Sequence, residues 1–168
     1  MISNHDDVVQ SKKYLELFDN RTMTLDQFKK AVRLKNFRLG AFYHIMDAEG
    51  QKVKFRRNQA QTERYVSNHQ RDIILKARQL GFTTDKMISD LDDCLFIKNH
   101  RAGCIAHNDS AAKDIYRNKI RYAYRNIKPS VIQMLRLIGF ELPVPVNDKD
   151  NSYVFSNGSS IGVSTGFR

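Results

Sequence analysis

Residues 71–85, RDIILKARQLGFTTD, constrain the chain more than any other stretch. Residues 72–75 carry a short β-branched apolar run of the kind that fills a buried strand. A polar loop over 77–80 follows, closed by Gly81 and by the pair Thr83 and Thr84. Beyond it, Met87, Ile88, Leu91 and Leu95 recur at helical spacing. Strand, glycine-bearing loop, threonine, helix is the order in which a phosphate-cradling loop works. The first N–H groups of a helix have no intrahelical partner and carry partial positive charge, so they suit an anion. A threonine hydroxyl at that point suits the magnesium that travels with a nucleotide.

Against the pattern G-x-x-x-x-G-K-[ST], Gly81 and Thr83 fit, Lys76 stands in the first glycine position and Phe82 in the lysine position. A cation is still required near the β- and γ-phosphates, and Lys76 and Arg78 are the loop's candidates. Just upstream, Phe55, Asn58 and Gln61 have the spacing F-x-x-N-x-x-Q. Taken alone, Asn58 reads as a helix N-cap with Gln61 as its N3 partner.

The run KARQLGFTT resembles the deviant phosphate loop of large terminase subunits, the DNA-packaging motors of tailed phages and prophages. Lys76, Arg78, Gln79, Gly81, Thr83 and Thr84 fall on its positions. Phe55, Asn58 and Gln61 resemble that family's adenine-side motif, and NGSSIGVSTGFR at residues 157–168 resembles the stretch preceding its carboxylate strand. The likeness covers roughly residues 42–168. It implies an α/β P-loop NTPase fold of the RecA/ASCE-like class, a mostly parallel sheet flanked by helices. A helical N-terminal segment over 1–40 would precede a partial ATPase domain over 41–168, incomplete at its C-terminal end. It implies ATP and Mg2+ as cofactors. Lys76 and Arg78 would neutralise phosphate charge, Gln79, Gly81 and Thr84 would hold the phosphates, and Thr83 would ligate magnesium. Gln61, with Asn58 and Phe55, would take the adenine side; a glutamine amide carries the donor and the acceptor that adenine N7 and N6 require.

In the complete motor the implied function is ATP-driven packaging of double-stranded DNA into a capsid, in the cytoplasm of a bacterial host. The implied partners are that DNA, a small terminase subunit, the portal protein and sister copies in a ring. Hydrolysis also needs an apolar strand ending in carboxylates. None of the acidic residues after Thr84 ends a run of four apolar residues. The chain is therefore expected to be the front of a longer motor, one that binds nucleotide weakly and does not hydrolyse it alone. Asp92 and Asp93 are expected on a solvated helix face.

The net charge of +10 favours a polyanionic partner. Lys113, Arg117, Arg121 and Arg125 fall four apart on a helix expected over 109–127, beside a buried stripe of Ala112, Ile115, Tyr116, Ile120, Ala123 and Ile127. Such a ridge can track a phosphate backbone. Lys29, Lys30, Arg33, Lys35 and Arg38 form a second basic cluster around a helix expected over 25–35. Two alternatives stand beside this reading: a basic nucleic-acid-binding module without nucleotide chemistry, favoured by Phe82 in the lysine position and by the missing carboxylate strand, or another P-loop ATPase acting on nucleic acid.

No apolar run approaches the ~20 residues of a membrane helix, so no membrane partner is expected. The two cysteines, Cys94 and Cys104, lie outside any C-x-x-C pair and read as small core residues in a reducing compartment. His100, Cys104 and His107 fall short of a four-ligand zinc set.

Local signals supply the remaining elements. Thr24 and Gln27 form a capping box, and a hairpin over 42–57 turns at DAEGQ. A helix over 84–98, a strand over 103–107 and the helix from Asp109 continue the order of a parallel α/β core. A short helix from Pro129 stops at Gly139. Residues 142–146 read as an edge or connector, 147–151 as a polar loop, and Asn157-Gly158 as a hairpin turn.

Overall fold

The computed structural model describes residues 2–69, 71–74, 80–149 and 151–166. Three helices come first: α1 (Asn4–Asp19), α2 (Leu25–Ala31) and α3 (Lys35–Phe42). The first two start by local chemistry, whereas α3 has no side-chain cap of its own and its Asn36 N–H donates to Asp7 Oδ2 at 3.1 Å. Ser3 Oγ accepts from the Asp6 N–H at 3.1 Å, and Thr24 and Gln27 close the expected capping box at 3.3 and 2.9 Å. The helix expected over 25–35 is two helices, because Val32 to Leu34 turn between α2 and α3. The turn places Phe28 and Phe37 ring against ring, with Phe18, Phe42 and Tyr14 around them.

The division expected after residue 40 falls inside α3, and the buried core runs on through it from Phe28 to Leu95. The hairpin follows as β1 (His44–Met46) and β2 (Lys52–Lys54), paired antiparallel. Asp47 Oδ1 accepts from the N–H groups of Glu49 and Gln51, and Gly50 takes the left-handed φ of 76° that the turn requires.

Next come α4 (Gln59–Val66), α5 (Phe82–Phe96), β3 (Arg101–Ala106) and α6 (Asp109–Ile115). A π-helical turn (Tyr116–Arg121) and α7 (Tyr122–Arg125) continue from α6. The chain then forms α8 (Pro129–Leu137), β4 (Pro145–Lys149), β5 (Ser152–Phe155) and β6 (Ser160–Thr165).

Strands β3 to β6 make one sheet in the order β3-β6-β5-β4. It is mixed rather than mostly parallel: β3 runs parallel to β6, while β5 pairs antiparallel with both β6 and β4. The Asn157-Gly158 turn is as expected, with Gly158 at a φ of 81°. Asn147 to Lys149, expected as loop, belong to edge strand β4, where pairing with β5 satisfies their backbone.

The expected strand at 72–75 is not formed over its described residues. Residues 72–74 are irregular, and Ile73 and Ile74 are 95% and 42% exposed. An apolar β-branched run becomes a strand only where a neighbouring strand accepts its hydrogen bonds, and no described strand pairs with residues 72–74: β3, at the sheet edge, pairs with β6 alone.

One face of the sheet carries Ala106, Ile161, Val163, Tyr153 and Phe155 into the core with Ile88, Leu91 and Ile120. The other carries Arg101, Gly103 and Ile105 opposite Ser160, Gly162 and Ser164 and is open, Ile105 being 76% exposed.

Asp92 and Asp93 are not solvated. Asp92 is fully buried against Arg38 and Tyr43, and Asp93 pairs with Lys35 at 2.6 Å. Two members of the expected N-terminal basic cluster are thereby consumed inside the fold, while Lys29, Lys30 and Arg33 remain exposed.

His44 is buried at the start of β1, and its Nδ1 has no hydrogen-bond partner. Burial first, then the charges of Lys52, Lys128 and Lys54, push its pKa below the ordinary 6.5. The unfolded imidazole then takes up a proton where the folded one does not. The His44 contribution to stability is complete above about pH 6.5 and is lost as the pH falls toward the depressed folded value. Urea midpoints measured from about pH 7 down to about pH 5 are expected to fall less steeply in His44→Gln than in the parent protein.

Candidate functional site

The candidate site is built where α4 meets the start of α5. Asn58 caps α4: its side chain accepts from the Gln61 N–H at 2.9 Å, and Gln61 Oε1 accepts from the Asn58 N–H at 3.1 Å. The free half of each amide reaches across the chain. Gln61 Nε2 and Asn58 Nδ2 both donate to the Leu80 carbonyl, at 3.1 and 3.3 Å. Leu80 is the residue before Gly81, and Gly81 is the N-cap of α5 with a left-handed φ of 70°. The left-handed backbone at Gly81 favours glycine, and a Cβ there would stand 2.6 Å from Gln61 Nε2 and push that amide away from Leu80.

Below this contact lies a buried charge cluster. Asp85, in the first turn of α5, is fully buried. Its Oδ1 accepts from Arg57 Nε and its Oδ2 from Arg64 Nη2, each at 2.7 Å. Arg57 immediately precedes the Asn58 cap and Arg64 lies in the last turn of α4. Arg57 also donates to Asn36 Oδ1 at 3.0 Å and stacks on the Tyr65 ring at 3.8 Å. The Tyr65 hydroxyl donates to Asp7 Oδ2 at 2.6 Å. Burial, reinforced by that bond, raises the Tyr65 pKa and keeps the phenol a donor.

On the other side of the α5 start, a cleft of about 570 Å3 opens toward the C-terminal end of β3. Gly81, Thr83 and Thr84 line one wall, the end of β3 and His107 another, and Lys119 of the π-helical turn stands over it. No acidic side chain is among the described lining residues. The cleft therefore joins the positive end of a fifteen-residue helix to a lysine, an arrangement suited to an anion. Among the described residues no group of three His, Cys, Asp or Glu side chains is placed to hold a metal ion. No described helix is long and apolar enough to cross a membrane.

No protein-family model matches the chain, and no curated protein matches it either. The site is read from its own geometry.

Of the expected site residues, Asn58, Gln61 and Gly81 are brought into contact, and Thr83 and Thr84 face the cleft. Gln61 is not among the residues lining that cleft; it meets its rim through Gly81. Phe55 is 2% exposed and belongs to the core, its N–H continuing the hairpin to the Tyr43 carbonyl. Lys76, Arg78 and Gln79 lie outside the described residues.

The ridge of Lys113, Arg117, Arg121 and Arg125 is interrupted by the π-helical turn, which breaks the 3.6-residue period. Lys113 and Arg117 are exposed, while Arg121 and Arg125 share the single carboxylate of Asp148 at 3.0 and 3.2 Å, which balances one of the ridge's four charges.

The Cys94 thiol is buried, and burial raises its pKa to about 12, so it is protonated at neutral pH. Lys119, Arg57 and Asp85 went unread in the sequence. For Asp85 and Arg64 a faint signal existed, a charge in the first turn of one helix and an opposite charge in the last turn of another, but nothing local joined the two.

Proposed function

We propose that the chain is the ATP-binding part of a terminase-type DNA-packaging motor, taking the phosphates of MgATP in the cleft at the start of α5. One observation carries this reading: the Asn58 and Gln61 amides converge on Leu80 beside Gly81. The two motifs on which the family likeness rests thus meet in space across about twenty residues of sequence. The helix N–H groups, Thr83, Thr84 and Lys119 supply donors for phosphate oxygens, and the Thr83 hydroxyl supplies the magnesium ligand. Gln61 is 5% exposed, with Oε1 on the Asn58 N–H and Nε2 on the Leu80 carbonyl, so its adenine-side role requires the amide to exchange the Leu80 bond for the base. DNA translocation, the small subunit, the portal and a ring of sister copies belong to the same proposal for the complete motor.

The test is calorimetric titration of the pure protein with MgATP. Saturable binding is expected, weakened about tenfold or more in Thr83→Ala and in Lys119→Gln, since each loses a hydrogen bond to a charged group. Sustained ATP turnover is not expected.

A second reading, a nucleic-acid-binding module without nucleotide chemistry, is favoured by the irregular, exposed 72–74 segment, which departs from a phosphate-loop strand. No heat of MgATP binding together with steeply salt-dependent DNA binding selects that reading.

A further inference from the structure

Phe82 lines two cavities. On one side is the cleft of about 570 Å3 with Thr83, Thr84 and Lys119. On the other is a pocket of about 440 Å3 between the end of α4 and the start of α5. Phe82 is the first residue of α5 and is partly buried. It stands where the phosphate-loop pattern has its lysine, and a phenyl ring offers a phosphate no hydrogen bond.

The two spaces differ in chemistry. The cleft has a helix N-terminus, a lysine and no acidic side chain among its described lining residues, which suits phosphate. The pocket has the Phe82 ring and Ile74 as apolar surface, and the exposed Asn68 and Asp72 as hydrogen-bonding groups. Its cations are already engaged: Arg64 donates to Asp85 at 2.7 Å, and Lys86 pairs with Asp90. With Arg57 also on Asp85, three cations stand against the three carboxylates Asp72, Asp85 and Asp90. Such a pocket gives a phosphate no net attraction. It gives a flat, uncharged heteroaromatic ring a face to stack on and groups to hydrogen-bond at its edge. Ile74 is 42% exposed, and a ring laid against it removes apolar surface from water. The Gln61 amide is buried and lines neither space.

We propose that the pocket beside Phe82 is the nucleobase subsite: the base stacks on the Phe82 ring against Ile74, with Asn68 and Asp72 at its edge, while the phosphates run past Phe82 into the cleft. The proposal rests on the nucleotide reading above and names the surface that takes the base. The phosphate contribution comes from backbone N–H groups of α5, from Thr83 and from Lys119, none of which the Phe82 ring supplies. The base contribution comes from the ring.

The experiment titrates the full chain with MgATP and with magnesium tripolyphosphate, in the parent protein and in Phe82→Leu, Phe82→Trp, Ile74→Ser and Gln61→Ala. Circular dichroism melts establish which variants fold. Phe82→Leu changes no charge and leaves every N–H of the α5 start in place. It is expected to weaken MgATP binding about tenfold or more, the loss of one base–aromatic stack, and to change tripolyphosphate binding by less than about threefold. Ile74→Ser is expected to weaken MgATP alone, by a smaller factor. Phe82→Trp is expected to hold MgATP within about threefold of the parent. The chain has no native tryptophan, so the introduced indole reports alone. Its fluorescence is expected to be quenched by MgATP and unmoved by tripolyphosphate.

A folded Phe82→Leu that keeps the parent ratio of MgATP to tripolyphosphate affinity overturns the proposal and leaves the nucleotide reading intact. Equal weakening of both ligands gives Phe82 a merely structural role and overturns it as well. So does a base contribution lost in Gln61→Ala but kept in Phe82→Leu. If Phe82→Leu does not fold, Phe82→Trp and Ile74→Ser carry the test: MgATP binding without quenching, or the same quenching by both ligands, overturns the proposal. A parent protein that binds tripolyphosphate as tightly as MgATP has no base subsite. A parent protein that binds neither ligand overturns the nucleotide reading, and the base subsite falls with it.

Discussion

Asp92→Ala is expected to lower the stability of the fold by about 3–5 kcal/mol, the cost of leaving one buried charge without its partner. Asp92 is fully buried in the middle of α5. It accepts from Arg38 Nη2 at 2.6 Å, from Arg38 Nε at 3.1 Å and from the Tyr43 hydroxyl at 3.0 Å. Arg38 is held further by the Val32 carbonyl at 2.8 Å and by the Phe96 ring at 4.3 Å, so it cannot swing out to water when its partner is removed. Burial, and then the Asp92 charge, push the Tyr43 pKa well up, and Tyr43 stays a donor throughout the working pH range.

The paired replacement Arg38→Met with Asp92→Leu removes both charges together and is expected to recover most of the loss. Urea unfolding of the three proteins decides it. A single Asp92→Ala variant within about 1 kcal/mol of the parent would show that water reaches this pair and would falsify its assignment as a buried tie.

Removal of residues 1–40 is expected to abolish cooperative folding of what remains. Phe28, Ala31, Leu34, Phe37 and Leu39 are all buried and share one core with Phe42, Phe55, Ile88 and Leu91. Losing a single buried phenylalanine costs about 3–5 kcal/mol, and the whole stability of a domain is only about 5–15 kcal/mol. The truncation removes two such phenylalanines, exposes the ring of Phe42 and strips Arg38 from Asp92. It also takes away Asp7 and Asn36, which hold the Tyr65 hydroxyl and the Arg57 guanidinium beside the candidate site. The expected result for residues 41–168 is a broad, non-cooperative melt with exposed apolar surface that binds a hydrophobic dye. A sharp melt would show that the N-terminal helices are an accessory to an independent domain.

The features legible in the sequence share one property: their causes lie within a few residues. The Thr24–Gln27 and Asn58–Gln61 boxes and the Asn108 cap of α6 depend on side chains meeting nearby backbone, and the Gly50 and Asn157-Gly158 turns and the Pro129 start of α8 on the backbone preference of single residues. The strand expected at 72–75 depended on something else. A strand has no hydrogen-bonded identity until a neighbour is placed beside it, and apolar content alone does not say whether one is.

Charge was the least legible quantity. Asp85 and Asp92 look alike in sequence to any acidic residue on a helix surface, and Asp92 was expected in water. Their partners lie 28, 21, 54 and 49 residues away in Arg57, Arg64, Arg38 and Tyr43. The pairing inside the basic ridge was illegible for the same reason, because Asp148 reaches Arg121 and Arg125 from β4.

By itself, then, the amino-acid sequence determined where α2, α4, α6 and α8 begin, where hairpins turn and which two motifs to compare. Those follow from capping and backbone preferences that act over three or four residues. Only the tertiary structure decided that the two motifs touch, that Asp85 and Asp92 are interior ties, that residues 1–40 share the core and that Lys119 stands over the cleft. Burial and ion pairing between distant residues exist only after the chain has closed on itself, and no local pattern encodes which distant charge arrives.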